Sequence, residues 1–411
     1  MVVTCLVFFF TARLLLNYFW SVLIALAASF ATQIWSTASR SMQAHAWGVL
    51  LLALSLYFIL RAELKQGKLR PILLATIFAA AFFVRPTSVA YVVPLALFVL
   101  IRYRQHVIWL IGTALFWLAF FFIYSQHYFH HYLPFYYRFG SALKLKTLAI
   151  GFPAQLISPS RGLLVYVPLV LFVGYLLVAY RHNLRLWRVA VAALVSIAFQ
   201  ILIVSSWWTW WAGAGGTYGA RLTTEVVPLF VLLGVLGTEA ALQSHQQSCK
   251  ENRSENTRVR RALEISVFGA FLLIGVVFNG AGAISRFGGL WNRLPNDLDL
   301  NPKRIFDWRH PQFYCALFPY RISGIVKNKN EEPLYHVAIT FSGGGGTTTT
   351  NSKGKYSKAV GFGWTGRARP ARRGFLFDPP VREYYPMSSS LTDENYLGSP
   401  KKKMPSSVVF P

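Results

Sequence analysis

Apolar runs recur so densely over residues 1–284 that no soluble core could hide them. They cover about 1–16, 19–34, 43–61, 71–84, 88–101, 107–125, 162–180, 189–206, 222–242 and 264–284. A full bilayer crossing takes ~20 apolar residues, and several of these runs are shorter. The pair 71–84 and 88–101 is interrupted at Arg85-Pro86. Such partial or re-entrant helices are tolerated only where protein or a cavity covers the freed backbone groups. Charged residues make up only 14% of the chain and hydrophobic ones 54%, against about 25% charged in soluble domains. That balance excludes a soluble enzyme, a disordered chain and a coiled coil. The 33 Phe, 20 Tyr and 13 Trp suit the aromatic belts of a polytopic membrane protein.

The expected fold class is therefore an α-helical multi-pass membrane domain of about ten segments over 1–284, some of them partial. An extracytoplasmic linker follows at 285–319, then a small all-β sandwich at 320–396 and a disordered tail at 397–411.

The net charge of +26 would suggest nucleic acid in a soluble protein, but here it reports topology. One set of loops, around Arg13, Arg61–Arg70, Arg102–Arg104, Arg181–Arg188 and Lys250–Arg261, holds 15 basic residues. The alternate set (Arg40, Arg85, Arg138, Lys144, Lys146, Arg161, Arg221) holds seven in longer loops. The positive-inside rule makes the first set cytoplasmic. Membrane lipids, and no nucleic acid, are the partners this predicts, in a cell (inner) membrane. The remaining 19 basic residues follow residue 284, and the run Lys401, Lys402 and Lys403 reads as a solvated charge cluster. Cys5, Cys249 and Cys315 lie too far apart for a disulfide framework or a zinc site.

Residues 1–16 lack a basic n-region, and Arg13 follows the apolar run, so a cleaved signal peptide is not expected. The orientation places Met1 outside with an apolar run starting at once. A natural start upstream of Met1 is the expectation.

The extracytoplasmic stretches carry the candidate chemistry. Segment 35–47, WSTASRSMQAHAW, sets Trp35, Arg40, His45 and Trp47 at a membrane edge. Segment 126–161 opens QHYFHHYLPFYYRFG and ends SPSRG, an aromatic, basic stretch suited to lie in the interface. Segment 206–225, SWWTWWAGAGGTYGARLTTE, joins four tryptophans, a glycine-rich turn, Arg221 and Glu225. Glycine permits close backbone approach, and arginine can grip a phosphate bidentately. The plainer reading is a tryptophan belt with a snorkelling arginine. His127, His130 and His131 have no carboxylate in their loop, and interfacial histidines read better there than a metal site.

WSTASRSMQAHAW, FFVRPTS at 82–88, SPSRGLLVYVPLVLF at 158–172, WWAGAGGTYGARLTTEVVPLF at 210–230 and DLDLNPKRIFDWRHPQF at 297–313 together resemble a known family. It is the bacterial GT-C-type integral membrane glycosyltransferases related to protein O-mannosyltransferases, and the likeness spans residues 1 to about 315. The resemblance implies transfer of a sugar from a polyprenyl-phosphate donor to an extracytoplasmic acceptor, with no cofactor and no metal. By the same resemblance Arg221 faces the lipid phosphate, supported by Arg161 and by Arg40 or Arg85. Glu225, Trp208, Tyr218 and His45 line the same site. An edge arginine offers charge and several donors to a phosphate leaving group. The chain departs from the family in one respect. The family's essential acidic residue in the first extracytoplasmic loop has no counterpart, since the first acidic residue is Glu63 and the next on the outer face is Glu225. Either that loop lies upstream of Met1 or the chain is inactive, and no catalytic base is named.

From about Tyr320 the pattern changes to short alternating strands, RISGIVK, HVAITFSG, GTTTTNSKGKYSKAV and FGWTGRARPARRGFLFDPP. Asn351–Gly354 reads as a hairpin turn and Gly343–Gly346 as a flexible connection. This stretch resembles carboxypeptidase-regulatory-like, transthyretin-like sandwich domains. It shows no catalytic constellation, and its basic surface suits an anionic cell-wall or surface polymer. A second function class is therefore a non-catalytic membrane anchor presenting the sandwich. A transporter is weaker, because Glu225 and Glu239 are thin intramembrane support for coupling.

The loop assignment makes 243–263 cytoplasmic and 285–411 extracytoplasmic. A membrane-impermeant maleimide should leave Cys249 unmodified in sealed cells and modify it after lysis. Labelling in sealed cells would overturn the orientation.

Overall fold

Why the helices stop where they do is written in the prolines. The structure, a computed structural model, describes residues 1–40, 43–137, 144–211, 217–250, 254–293 and 297–401. Its helices in chain order are α1 (Val2–Arg13), α2 (Tyr18–Phe30), α3 (Ala44–Glu63), α4 (Pro71–Val84), α5 (Val89–Arg102), α6 (Val107–Phe129) and α7 (Leu145–Ile157). They continue as α8 (Leu163–Tyr166), α9 (Leu169–Ala179), α10 (Trp187–Ser205), α11 (Val227–Lys250), α12 (Ser254–Ile284), α13 (Arg286–Leu290) and α14 (Gln312–Leu317). Pro86 keeps Arg85 out of the helical region, at φ −154° and ψ 122°, and α4 ends at Val84. Pro168 does the same to Val167 and divides the apolar run 162–180 into α8 and α9. Residues 145–157, expected as part of an interfacial loop, form α7. A π turn over Ile34–Ala38 follows α2.

Among the described residues five stretches are long and apolar enough to cross a membrane: Ala44–Glu63, Arg104–Phe129, Trp187–Ser205, Arg221–Ser248 and Arg258–Ile284. The protein is a helical membrane protein with a small C-terminal β region. α6 leaves Ile108 84% and Ile123 70% exposed, a face that only hydrocarbon solvates well.

By internal contacts the chain divides into two compact units, Met1–Ile284 with Pro302–Phe313, and Ser285–Asn301 with Tyr314–Pro411. In the first, Leu52, Leu56, Ile59 and Leu60 of α3 pack with Leu229, Leu232 and Leu236 of α11, and α4, α5 and α10 close around them. Between membrane helices, close packing and polar links hold neighbours together where the hydrophobic effect is absent. Asn279 of α12 is such a link. It accepts from Ser36 Oγ at 2.8 Å and donates to the Tyr166 carbonyl at 2.8 Å.

The second unit holds eight strands, β1 (Tyr320–Asn328), β2 (Ala338–Phe341), β3 (Gly346–Thr349), β4 (Lys355–Val360), β5 (Gly366–Ala371), β6 (Phe375–Asp378), β7 (Arg382–Tyr384) and β8 (Tyr396–Pro400). They form two four-stranded sheets, ordered β4-β1-β8-β6 and β3-β2-β5-β7. β1 pairs antiparallel with β4 and parallel with β8. Ile322, Val326, Ile339, Phe341, Tyr356, Trp364 and Tyr396, from both sheets, form one apolar core. Gly343, Gly344 and Gly346 all take positive φ, and their turn is the tight hairpin joining β2 to β3. The Asn351–Gly354 turn forms as well, with Asn351 Oδ1 accepting from the backbone of Lys353 and Lys355. It is no hairpin, because β4 pairs with β1 and the turn carries the chain from one sheet to the other. β8 runs to Pro400, past the expected start of the tail at 397, since it pairs with both β1 and β6. Of that tail, residues 402–411 lie outside the described residues.

Ile339 is fully buried between the sheets. A fragment of residues 285–401 should melt cooperatively, and Ile339→Ala should lower its stability by about 2–5 kcal/mol through the cavity left behind. Denaturant titration by circular dichroism reads both.

Candidate functional site

Three remote stretches converge on one carboxylate. Glu225 lies in the 3₁₀ turn Arg221–Val226 that leads into α11, and it is fully buried. Its close neighbour is Gly48 of α3, where any Cβ would sit 3.3 Å from the Glu225 side chain. Glycine there lets the carboxylate lie against α3. The extended Arg85, thrown out of helix by Pro86, donates from Nη1 to Glu225 Oε1 at 2.8 Å. His45, in the first turn of α3, places Nδ1 3.3 Å from the same oxygen. Arg221 approaches from the rim, with Nε 3.3 Å from His45 Nε2 and Nη2 3.3 Å from Gln43 Oε1.

The hydrogen-bond inventory of this cluster does not close on itself. Arg85 and Glu225 are joined through one nitrogen and one oxygen instead of a two-pronged fork, and Arg85 Nε and Glu225 Oε2 are buried without a partner among the described residues. Arg85 Nη1 also lies 2.6 Å from His45 Nδ1 and 3.0 Å from Nε2. A neutral imidazole has one lone pair to offer. Two guanidinium groups reach for it, so one of the two arginine contacts cannot be a hydrogen bond. Among the described residues no carboxylate pairs with Arg221. The cluster thus holds a spare carboxylate acceptor and spare guanidinium donors side by side.

An aromatic cavity of about 680 Å³ is lined by Phe83, Phe121, Tyr124, Tyr136 and Tyr137, with Ser125 in its wall. Tyr136 lies within electrostatic reach of both Arg85 and Arg221. Tyr137 donates to the Phe83 carbonyl at 2.6 Å, which ties the 131–137 loop to the end of α4.

Arg161, Tyr218, Arg40 and Trp208 are placed elsewhere. Arg161 is 1% exposed and spends its donors on the Trp211 and Ser160 carbonyls, Gln312 Oε1 and Thr217 Oγ1, at 2.7–3.0 Å. Gln312 accepts from the Gly219 backbone at 3.1 Å and donates to the Thr217 carbonyl at 2.7 Å. The same segment is held at Ile305, whose carbonyl accepts from Ser158 and Ser160. Arg161 therefore fastens residues 302–313 to the glycine-rich turn that presents Arg221. Tyr218 is buried and donates to the Phe278 carbonyl. Arg40 donates to the Gly282 carbonyl at 3.0 Å, and Trp208 stands 54% exposed. Within the fastened segment Asp307 bonds His310 at 3.1 Å. Burial opposes its ionisation, but His310 and the backbone N–H groups of Arg309 and His310 outweigh that and hold it below the usual aspartate range.

The cluster also brings in Gln43, Gly48 and Tyr136, which the sequence reading did not single out. Tyr136 sits within the aromatic loop it quoted. Gln43 and Gly48 carry no local signal, because their roles depend on a partner far along the chain. Arg138 and the 212–216 part of the glycine-rich turn lie outside the described residues.

Removing one member of a buried ion pair strands the other, at a cost of about 3–5 kcal/mol. Glu225→Ala should therefore lower the melting temperature of the purified protein markedly. The double variant Arg85→Met with Glu225→Leu should recover most of the loss. A double variant no more stable than the single one would show that the pair is not the source of the effect.

No family model, no curated protein and no solved structure matches this chain.

Proposed function

We propose that the protein is a membrane glycosyltransferase of the GT-C type, moving a sugar from a polyprenyl-phosphate donor to an acceptor on the extracytoplasmic side. One observation carries the reading. Among the described residues Glu225 Oε2 has no protein partner and Arg221 has no carboxylate partner, within a single cluster. A sugar phosphate asks for that pairing, with hydroxyl groups that donate to a carboxylate and a phosphate that accepts from a guanidinium. The nearby aromatic cavity adds apolar faces, and the expensive placement of Arg85 and Glu225 within the helical body favours a functional site over a structural one.

In this reading Arg221 binds the donor phosphate and stabilises the charge that develops on it as the sugar–phosphate bond breaks. Glu225 orients sugar hydroxyls, and Arg85 with His45 fixes the carboxylate. The β domain serves as an extracytoplasmic binding or spacer module whose basic surface meets an anionic polymer. A second reading, a non-catalytic anchor for that domain, is favoured by one feature. The carboxylate of the cluster is fully buried and committed through Oε1 to Arg85 and His45, so it is poorly placed as a general base.

Polyprenyl phosphate titrated into the protein in nanodiscs separates the roles of the arginine. Arg221→Lys keeps the charge and loses the planar fork, so binding should weaken by about 1–3 kcal/mol. Arg221→Ala should cost more, while Lys144→Ala, an exposed residue, should bind as the unaltered protein does. If Arg221→Ala and Lys144→Ala bind equally well, Arg221 is an interfacial belt residue and the donor-site reading fails.

A further inference from the structure

A second apolar slot of the helical body lies away from the Glu225 cluster. It runs between α2, α9, α11 and α12, with a volume of about 320 Å³, and its walls include Trp20, Ala27, Val173, Val231, Gly234 and Phe268. Gly234 contributes to its width, since a Cβ there would meet only Val173, at 3.5 Å. From Val227 to His245 the slot follows α11 for about 27 Å at the helical rise of 1.5 Å per residue. Half the hydrocarbon thickness of a bilayer is about 15 Å. The slot is long enough for a complete acyl chain of one leaflet.

One end is polar, where His245, Arg261 and Glu264 line the slot. The charges there are unequal. Glu264 is already claimed: Oε1 accepts from Tyr175 Oη at 2.8 Å, Arg260 Nε at 3.1 Å and Tyr180 Oη, and Oε2 meets His245 Nε2 at 2.9 Å. Arg260 is also stacked over the Tyr180 ring, 4.6 Å from its centroid. Arg261 is exposed, and among the described residues no carboxylate pairs with it. Exposed Arg258 adds to the excess of positive charge.

We propose that this slot is a binding site for an anionic glycerophospholipid of the surrounding bilayer, with its phosphate on Arg261 and one acyl chain between α2, α9 and α11. The charge complementarity decides the occupant. A guanidinium with no carboxylate partner among the described residues, at the end of a hydrocarbon-lined slot, calls for a phosphate carrying an acyl chain, and basic pockets between membrane helices recognise such headgroups. A neutral or zwitterionic lipid would leave the excess charge uncompensated. The bound lipid would fill the space between α2 and α9 and steady both against α11.

Trp20 provides the probe, because it lines the slot and packs, as Leu242 does, against the Ala12, Leu16 and Val235 cluster. The full-length protein in phosphatidylcholine nanodiscs is titrated with phosphatidylglycerol carrying brominated chains, and tryptophan quenching is read with and without Trp20→Phe. A Trp20-dependent component should be quenched by phosphatidylglycerol at about one-tenth of the mole fraction that brominated phosphatidylcholine requires. Arg261→Gln should bring the two lipids together, and Arg104→Gln, an exposed arginine elsewhere, should leave the preference intact. Equal quenching by both headgroups, a preference that survives Arg261→Gln, or a Trp20 component displaced by equimolar polyprenyl phosphate would each overturn the assignment.

Discussion

The Arg85–Glu225 ion pair is the constraint around which the helical body is arranged. Two opposite charges, 140 positions apart in sequence, meet at 2.8 Å where neither has more than a trace of exposure. In such surroundings each ion alone would be intolerable, so the turn after α4 and the turn before α11 must be held against the start of α3 together. The local devices follow from that requirement. Pro86 stops α4 and extends Arg85, Gly48 clears space beside the carboxylate, and Thr223 and Thr224 hydroxyls bond back to the Ala220 and Arg221 carbonyls to hold the 3₁₀ turn. A hydrophobic pair of the same volume would pack at least as stably. That the chain keeps charges here speaks for a task beyond folding.

How much of this could be read in the sequence depends on the range of each interaction. Proline effects are local, so the break at Arg85-Pro86 was legible. The fate of Arg161 was not. Its sequence neighbourhood offers an edge arginine, but apart from the adjacent Ser160 carbonyl its donors end on the Trp211 carbonyl, Thr217 Oγ1 and Gln312 Oε1, which lie 50 and more residues away. The helix α7 was hidden for a different reason. Gly151 and Pro153 stand inside its 13 residues, and such breakers read locally as loop. In the β region the Asn351–Gly354 turn shows the limit of turn chemistry. Turn residues specify that the chain reverses, and the partner of each strand is decided by which face must be buried.

The two polar clusters of the body contrast in how they use charge. At Glu264 one carboxylate is surrounded by two tyrosines, a histidine and an arginine, and both of its oxygens are engaged. At Glu225 a more deeply buried carboxylate keeps one oxygen without a partner among the described residues. A saturated cluster behaves as a fixed joint between α9, α11 and α12. An unsaturated one retains capacity to exchange partners, and so is the better place to meet a ligand.

The division of the chain also bears on how its parts can be separated. Residues 302–313 belong to the helical body, although the segments on both sides of them, 285–301 and 314 onward, belong to the β unit. A truncation after Ile284 would therefore not be a clean removal of the β domain. It would also take away Gln312 and Ile305, leaving Arg161, Ser158 and Ser160 buried with lost partners and the turn before Arg221 without its brace. Such a variant losing activity would say nothing about the β domain. A deletion that spares the brace, excising only residues beyond α14, asks the question fairly.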